Sequence, residues 1–170
     1  TFGTNAVTLG VVYYGLTGRL ICYLQNVKSN AITCLNAPAH VGPHGTCAGC
    51  GMSIALNNVF FNIPADKKIL GRPANPARLL ITLTDGYTNA GTPDWSTNLT
   101  NSAAAVKAAG ITSVAIGVDG YRKADLDTMA SDTPTGKLVY TVAQFSQLNT
   151  ILDQLILMTC TDLASQPCGQ

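Results

Sequence analysis

Charged side chains are scarce in this sequence. Among 170 residues there are 10 Lys and Arg and 9 Asp and Glu, which makes 11% charged residues and a formal net charge of +1. Globular domains average about 25% charged residues. The chain also lacks a basic run, which excludes nucleic acid or an anionic membrane as its main partner. So few charges suit a protein that belongs to an extracellular solid or assembly.

Long apolar runs and the common catalytic motifs are also missing. No stretch approaches the roughly 18 consecutive apolar residues of a membrane span. The chain starts at Thr1 without Met and without a signal-peptide pattern, which predicts a processed form or a fragment. We find no Gly-x-Gly-x-x-Gly, no P-loop and no Gly-x-Ser-x-Gly. An enzyme on a doubly wound sheet is therefore the least favoured class of protein, and a non-enzymatic function is expected.

The sequence does contain an even number of cysteines. Six cysteines allow 15 pairings, so their connectivity stays open. Asn98-Leu99-Thr100 is a sequon that predicts a glycan on Asn98. Together these features predict a secreted protein in an oxidising compartment, the alternative being an intracellular protein with free buried thiols. The predicted disulfide cysteines are Cys22, Cys34, Cys47, Cys50, Cys160 and Cys168.

Four of the potential metal ligands lie close together in "HVGPHGTCAGC". His40, His44, Cys47 and Cys50 could form a tetrahedral zinc site, and the Cys-x-x-Cys could be redox-active at a helix start. We favour structural disulfides with exposed loop histidines. Because Cys47 and Cys50 lie one helical turn apart, we expect them to face different partners, with Cys34 as a mate for one of them. Cys160 and Cys168 could pair within a tail.

Hydrophobic patterning divides the chain into two parts. Residues 7–14 and 19–24 read as a hairpin, Ser29 is expected to cap a short helix that ends at Leu35, and a helix is expected over 46–61. Later, apolar runs at 78–84, 111–118 and 137–142 alternate with helical patterns at 101–110, 122–130 and 144–158. Strands without polar alternation are typical of a parallel sheet buried on both faces. The predicted fold class is therefore α/β, doubly wound and mostly parallel.

The strand "LLITLT" delivers one carboxylate, Asp85, to its C-terminal end. Ligands of open parallel sheets bind outside the carboxyl ends of the strands. A carboxylate with hydroxyl groups nearby provides hard oxygen ligands, which suit Mg²⁺, Mn²⁺ or Ca²⁺. The alternative is that Asp85 caps the following turn through its own backbone. Asp119, after the strand at 111–118, invites the same two interpretations, and turn capping is preferred for it.

Several motifs, in their order and spacing, resemble a von Willebrand factor type A domain. These are "AVTLGVVYYG", "GPHGTCAGCGMSIALNNVFF", "LLITLTDGYTNAG", "AAAVKAAGITSVAIGVDGYRKADLDTMASD" and "VYTVAQFSQLNTILDQL". The resemblance covers nearly the whole chain. It implies a Rossmann-like sheet with helices on both faces and one antiparallel edge strand. The implied domain spans 1–159, and a Cys-containing tail spans 160–170.

The resemblance also implies a metal-ion-dependent adhesion site. Thr46 matches the threonine of the family's Gly-Gly-Thr loop, and Asp85 matches the aspartate of its Thr-Asp-Gly. The family's third element, Asp-x-Ser-x-Ser after the first strand, has no counterpart, since Asp94-Trp95-Ser96 follows no apolar strand. Two protein ligands are too few to hold Mg²⁺ well. A Mg²⁺ site (or one for Mn²⁺ or Ca²⁺) is therefore expected only if the missing segment is supplied.

The family's first strand, which lies at the centre of the sheet, is missing too. Its absence would leave two rows of buried backbone groups unpaired, each at a cost of about 1–3 kcal/mol. We therefore expect a central strand from preceding residues or from another chain. The favoured function is an extracellular adhesion or matrix module with a protein partner, collagen-like in its narrowest form, in a matrix such as byssal threads or shell. The alternative is a self-assembling structural subunit without a functional metal site.

Overall fold

A computed structural model describes residues 7–37, 45–72, 76–89, 94–134, 136–151 and 154–155. The described chain is an α/β structure, as predicted, with a hairpin in its first part and alternating strands and helices in its second. The strands are β1 (Leu9–Tyr14), β2 (Gly18–Gln25), β3 (Leu79–Thr84), β4 (Thr112–Val118), β5 (Asp132–Thr133), β6 (Gly136–Lys137) and β7 (Val139–Val142). The helices are α1 (Lys28–Leu35), α2 (Ala48–Ile54), α3 (Trp95–Ala108) and α4 (Lys123–Met129).

The parallel sheet has the order β3-β4-β7, with β4 in the middle. Leu79 pairs with Thr112 and Thr84 with Gly117, so the carboxyl ends of β3 and β4 lie at one edge. Six of the seven residues of β4 are buried, because helices and neighbouring strands cover it on both faces. The continuous apolar pattern of 111–118 is explained by this position.

The antiparallel hairpin β1-β2 forms a sheet of its own. A further short hairpin, β5-β6, precedes β7 and was not foreseen from the sequence. The hydroxyl of Tyr14, at the end of β1, donates a hydrogen bond to the carbonyl oxygen of Leu83 in β3, at 2.6 Å. No strand in the described part of the chain pairs with both β1 and β3, and the expectation of a supplied central strand stays a prediction.

The main core lies between the parallel sheet and the helices. Its fully buried side chains come from α2, α3, β4 and α4, and include Met52, Val106, Val114, Leu126 and Met129. An ideal Cβ on Gly117 would lie 2.7 Å from Leu126, so a glycine in β4 allows α4 to approach the sheet closely. The core thus fixes the loops that follow β3 and β4.

Four predicted boundaries need correction. Ser29 does not cap α1, because the helix already begins at Lys28 and its cap position is Val27. Helix α3 begins at Trp95 rather than near residue 101, since the side chain of Asp94 caps it by accepting a hydrogen bond from the Ser96 amide. The helix expected over 46–61 is α2 followed by a π-helical segment, Ala55–Phe60. The start of the last predicted helix is a 3-10 turn, Phe145–Gln147, and 156–158 lie outside the described residues.

Candidate metal centre at the carboxyl edge of the sheet

Asp85 directly follows β3 and is exposed. The turn after it is held by Thr84, whose hydroxyl donates to the Gly86 carbonyl at 2.9 Å and accepts from the Gly86 amide at 3.3 Å. The capping role considered for Asp85 therefore belongs to its neighbour. Within the described residues, the Asp85 carboxylate makes no hydrogen bond and no ion pair, so both of its oxygens are available to a ligand.

Thr46 lies beside this turn. Its hydroxyl oxygen would be 3.6 Å from an ideal Cβ on Gly86, the residue after Asp85. The amide of Cys47 donates to the carbonyl of Gly15 at 2.6 Å, which fixes the loop to the end of the hairpin strand β1. The structure therefore brings together the two loops that the sequence predicted to share a site.

Asn89 joins the same two loops and was missed by the sequence analysis. Its Oδ1 accepts a hydrogen bond from the Thr46 amide at 2.8 Å, and its own amide donates to the Thr46 carbonyl at 3.0 Å. Both backbone polar groups of Thr46 are thus occupied by one residue that lies 43 positions away. A polar residue four positions after the strand-end aspartate was the only signal in the sequence, and turns contain many such residues.

Asp125 in α4 holds the Asp85 loop from the other side. It is 4% exposed, and its Oδ2 accepts the amide of Thr88 at 2.7 Å. Its Oδ1 accepts from Arg122, in an ion pair with Nε at 2.8 Å and Nη2 at 2.5 Å. The acid satisfies a buried loop amide, and the arginine supplies the charge that an ionised buried carboxylate requires.

Two aromatic side chains flank Arg122 at this rim. The guanidinium carbon lies 4.3 Å from the centre of the Trp95 ring and 6.0 Å from that of Tyr87. Trp95 stands at the start of α3 and contacts the arginine. Both distances fall within the range of cation–π attraction.

Asp119 lies in the turn after β4, and capping of that turn by its side chain stays a prediction. Its φ is +46° and that of Gly120 is +21°, and its amide donates to Val142 at 3.1 Å. An ideal Cβ on Gly120 would lie 3.1 Å from the carbonyl oxygen of Asp85. A glycine at 120 thus allows the β4–α4 turn to pass close to the site.

The cysteine pairing differs from the expected one. Cys22 bonds to Cys34, with Cα atoms 5.9 Å apart, and Cys47 bonds to Cys50, with Cα atoms 5.2 Å apart. The expectation that Cys47 and Cys50 face different partners, one of them Cys34, is wrong. Residues 47 and 50 bracket the first turn of α2, and that spacing places their sulfurs within bonding distance. Cys160 and Cys168 lie outside the described residues.

The zinc alternative loses its thiolate ligands for the same reason. A sulfur atom in a disulfide is not the thiolate that binds zinc or attacks as a nucleophile. His40 and His44 lie outside the described residues. Within the parts of the chain that the structure describes, no three His, Cys, Asp or Glu side chains gather as a metal cluster.

Asn98 lies inside α3, not in a loop. It is half-buried, its Oδ1 lies 3.8 Å from Cys47 Sγ, and an ideal Cβ on Gly49 would collide with that oxygen. The side-chain amide therefore packs against the start of α2, which is an unfavourable position for a bulky glycan. Glycosylation at Asn98 stays a prediction.

The described residues contain no candidate membrane-spanning helix. None of the helices among them is both apolar enough and long enough to cross a bilayer.

The combination of this fold with a Thr loop and a Thr-Asp-Gly turn at one sheet edge defines a class of protein. The chain belongs to the von Willebrand factor type A domain family, whose model matches residues 1–154. No curated protein sequence matches the chain significantly.

Among solved structures, the chain is similar to proximal thread matrix protein 1 (PTMP1) from the mussel byssus. With the form described as having a zinc-occupied MIDAS motif, it shares 26% identity at a TM-score of 0.74, over 93% of this chain and 37% of that chain. Another PTMP1 structure gives 27% identity and a TM-score of 0.72, over 90% of this chain and 36% of the other. This chain thus spans little more than a third of the PTMP1 structures.

A more distant structure supports the fold alone. The SpRpn10 VWA domain matches with 12% identity and a TM-score of 0.55, over 96% of this chain and 75% of that one. The predicted family and the predicted doubly wound α/β fold are confirmed.

Proposed function

We propose that this chain is a non-enzymatic adhesion or matrix module that binds an extracellular protein through a divalent metal ion at Thr46 and Asp85. Domains of this family are in general protein-interaction modules. The observation that carries the proposal is the two-point contact between Thr46 and Asn89, which holds the threonine loop beside the Asp85 turn.

The donor set fits a hard divalent ion in part. Asp85 offers an exposed carboxylate and Thr46 a hydroxyl, and Mg²⁺ commonly uses one or two carboxylates while it keeps several waters. The remaining protein oxygens are predicted to come from an Asp-x-Ser-x-Ser segment. When bound, the ion would supply positive charge that an acidic group of the partner can complete. Mg²⁺ is the first choice, with Mn²⁺ or Ca²⁺ as alternatives, and Zn²⁺ joins them because a PTMP1 structure has zinc in this motif.

The proposed setting is the extracellular matrix. Two disulfides among the described residues favour an oxidising compartment, and PTMP1 is a matrix protein of the byssus. A collagen-like partner is the narrowest form of the proposal. The exposed ring of Tyr87, two residues after Asp85, and the Arg122–Trp95 pair provide side chains of the kind that dominate protein interfaces.

Calorimetric titration with Mg²⁺ and with Zn²⁺ tests the site. The natural protein, with any residues that precede Thr1, is compared with Asp85→Ala. We expect binding heat in the parent and its loss in the variant, because the variant removes the carboxylate that the described residues offer to the ion. Asp132→Ala is the matched control: Asp132 is an exposed acid beside Ser131, which bonds to Ser113 at the opposite end of β4. Equal responses of parent and Asp85→Ala would remove the metal site.

A structural assembly subunit is the second candidate. It is favoured by β3, which is an edge strand among the described residues and carries Ile81 at 48% and Leu83 at 38% exposure. Edge strands with exposed apolar side chains can pair with a strand from another chain. Sedimentation of the calorimetry samples at rising concentration distinguishes the two: this candidate requires self-association that Asp85→Ala leaves unchanged.

A further inference from the structure

Asn89 differs from the other polar side chains near the site because it bridges two loops although it is neither buried nor charged. It is exposed, so it adds little to the core, and its chemistry is that of a neutral amide. Yet it makes two hydrogen bonds to the backbone of Thr46, 43 residues away. Its side-chain oxygen accepts from the Thr46 amide at 2.8 Å, and its backbone amide donates to the Thr46 carbonyl at 3.0 Å. A side chain that bridges two loops without being buried has a local effect on their relative position.

The loop that carries Asn89 is itself firmly held. Thr84 fixes the turn at Gly86, and buried Asp125 fixes Thr88 through its amide. Asn89 is therefore presented from a loop with two attachments to the second part of the chain. On the other side of the contact, Cys47 is fully buried and its amide bonds to Gly15, whereas both backbone hydrogen bonds of Thr46 itself are made by Asn89.

We propose that Asn89 is the positioning residue of the metal site, which holds the Thr46 hydroxyl beside the Asp85 turn, where both groups would serve as ligands. The inference rests on the function proposed above. Asn89 occupies the amide and the carbonyl of Thr46, and this fixes the backbone from which the hydroxyl projects. Without the side-chain bond, only the backbone contact to the Thr46 carbonyl joins Thr46 to the Asp85 loop, and the hydroxyl is held less firmly beside Asp85. Removing a group that orients a metal ligand typically lowers metal affinity about 10- to 100-fold.

Amide hydrogen exchange tests the contact itself. In Asn89→Ala we expect the Thr46 amide to lose protection, because its acceptor is gone. Asn89→Asp keeps an oxygen at the same position and should keep the protection. Asn57→Ala is the matched control, since Asn57 is likewise exposed and bonds through its side chain to one backbone carbonyl, Ser53, at 2.9 Å. Unchanged exchange at Thr46 in Asn89→Ala would overturn the inference.

Metal titration tests the role in the site. We expect Mg²⁺ or Zn²⁺ affinity of the natural protein to fall about 10-fold or more in Asn89→Ala and to stay within twofold in Asn57→Ala, with equal melting temperatures. A purely structural role would instead change the melting temperature and spare the affinity.

The two failures are distinguishable. If the parent binds metal and Asn89→Ala binds it equally well, only the positioning role is overturned. If the parent binds no more metal than Asp85→Ala does, the proposed function fails and the role of Asn89 fails with it.

Discussion

The parallel sheet and the hairpin are stabilised in different ways. β4 is buried along almost its whole length under α3 and α4, whereas β1 and β2 have one buried residue between them, Leu24. The hairpin is instead attached to α1 by the Cys22–Cys34 disulfide, which closes a separation of 12 residues. One region relies on burial and the other on a covalent link, so the same kind of perturbation should affect them unequally.

Removing a core side chain from the parallel region should have the largest effect. Leu126 is fully buried against Gly117 of β4, and Leu126→Ala should lower the free energy of unfolding by about 2–5 kcal/mol through lost burial and a new cavity. Chemical denaturation measures the change. The matched control is Leu70→Ala, because Leu70 is 85% exposed and its loss should stay within about 0.5 kcal/mol. Equal effects of the two substitutions would contradict the assignment of the core.

Opening the hairpin disulfide should come next. The double variant Cys22→Ser, Cys34→Ser should lose about 2–4 kcal/mol, mainly because the unfolded chain gains freedom. Hydrogen exchange should rise first in β1, β2 and α1, while β4 amides lose only the protection that global unfolding explains. An equal rise in β4 through local opening would show that the two regions do not differ as described.

The hairpin and the parallel sheet are joined by the hydrogen bond between Tyr14 and Leu83, which we call the junction. Weakening the junction should have the smallest effect on stability. Tyr14→Phe removes the hydrogen bond from its hydroxyl to Leu83 and should cost about 0.5–1.5 kcal/mol. Tyr87→Phe is the control, because Tyr87 is 53% exposed and its ring is retained. A loss of unfolding free energy of similar size in both variants would show that the hydrogen bond at the junction does not stabilise the fold.

The stability that the junction contributes should also depend on pH. Burial raises the pKa of the Tyr14 phenol well above its ordinary value of 10.0. A raised pKa means that the folded state favours the neutral phenol, so its contribution to stability is complete below about pH 10 and is lost as the pH rises further. Denaturation between pH 8 and pH 11 should therefore show a steeper loss for the parent than for Tyr14→Phe. Parallel curves would show that the Tyr14 phenol does not contribute to stability in this way.

The fold could be predicted from the sequence because its signals are local. The unbroken apolar run of β4 and the turn residues around β1 and β2 each report their own element. For the proposed site, the sequence points only to the two residues that lie in motifs, Thr46 and Asp85, and their role stays a proposal. Asn89 and Asp125 act across 43 and 37 residues, and no local pattern distinguishes them from ordinary turn and helix residues.

Two of the errors have separate physical causes. Asp94 caps α3, and a cap that lies before a polar first turn extends a helix beyond its apolar pattern. That extension places Asn98, on which the sequence predicts a glycan, in a helix packed against α2. The cysteines were misassigned because helical spacing alone does not decide whether residues three apart bond to each other or to other partners.

The contact between Thr46 and Asn89 also bears on the order of folding. The hairpin closes over a few residues and its disulfide over 12, so it can form early, whereas the contact at the site spans 43 residues. Long-range contacts cost more chain entropy to close and tend to form late. The proposed metal centre would then be among the last parts of the molecule to assemble, and a chain arrested at an earlier stage would have its hairpin before the two loops of that site meet.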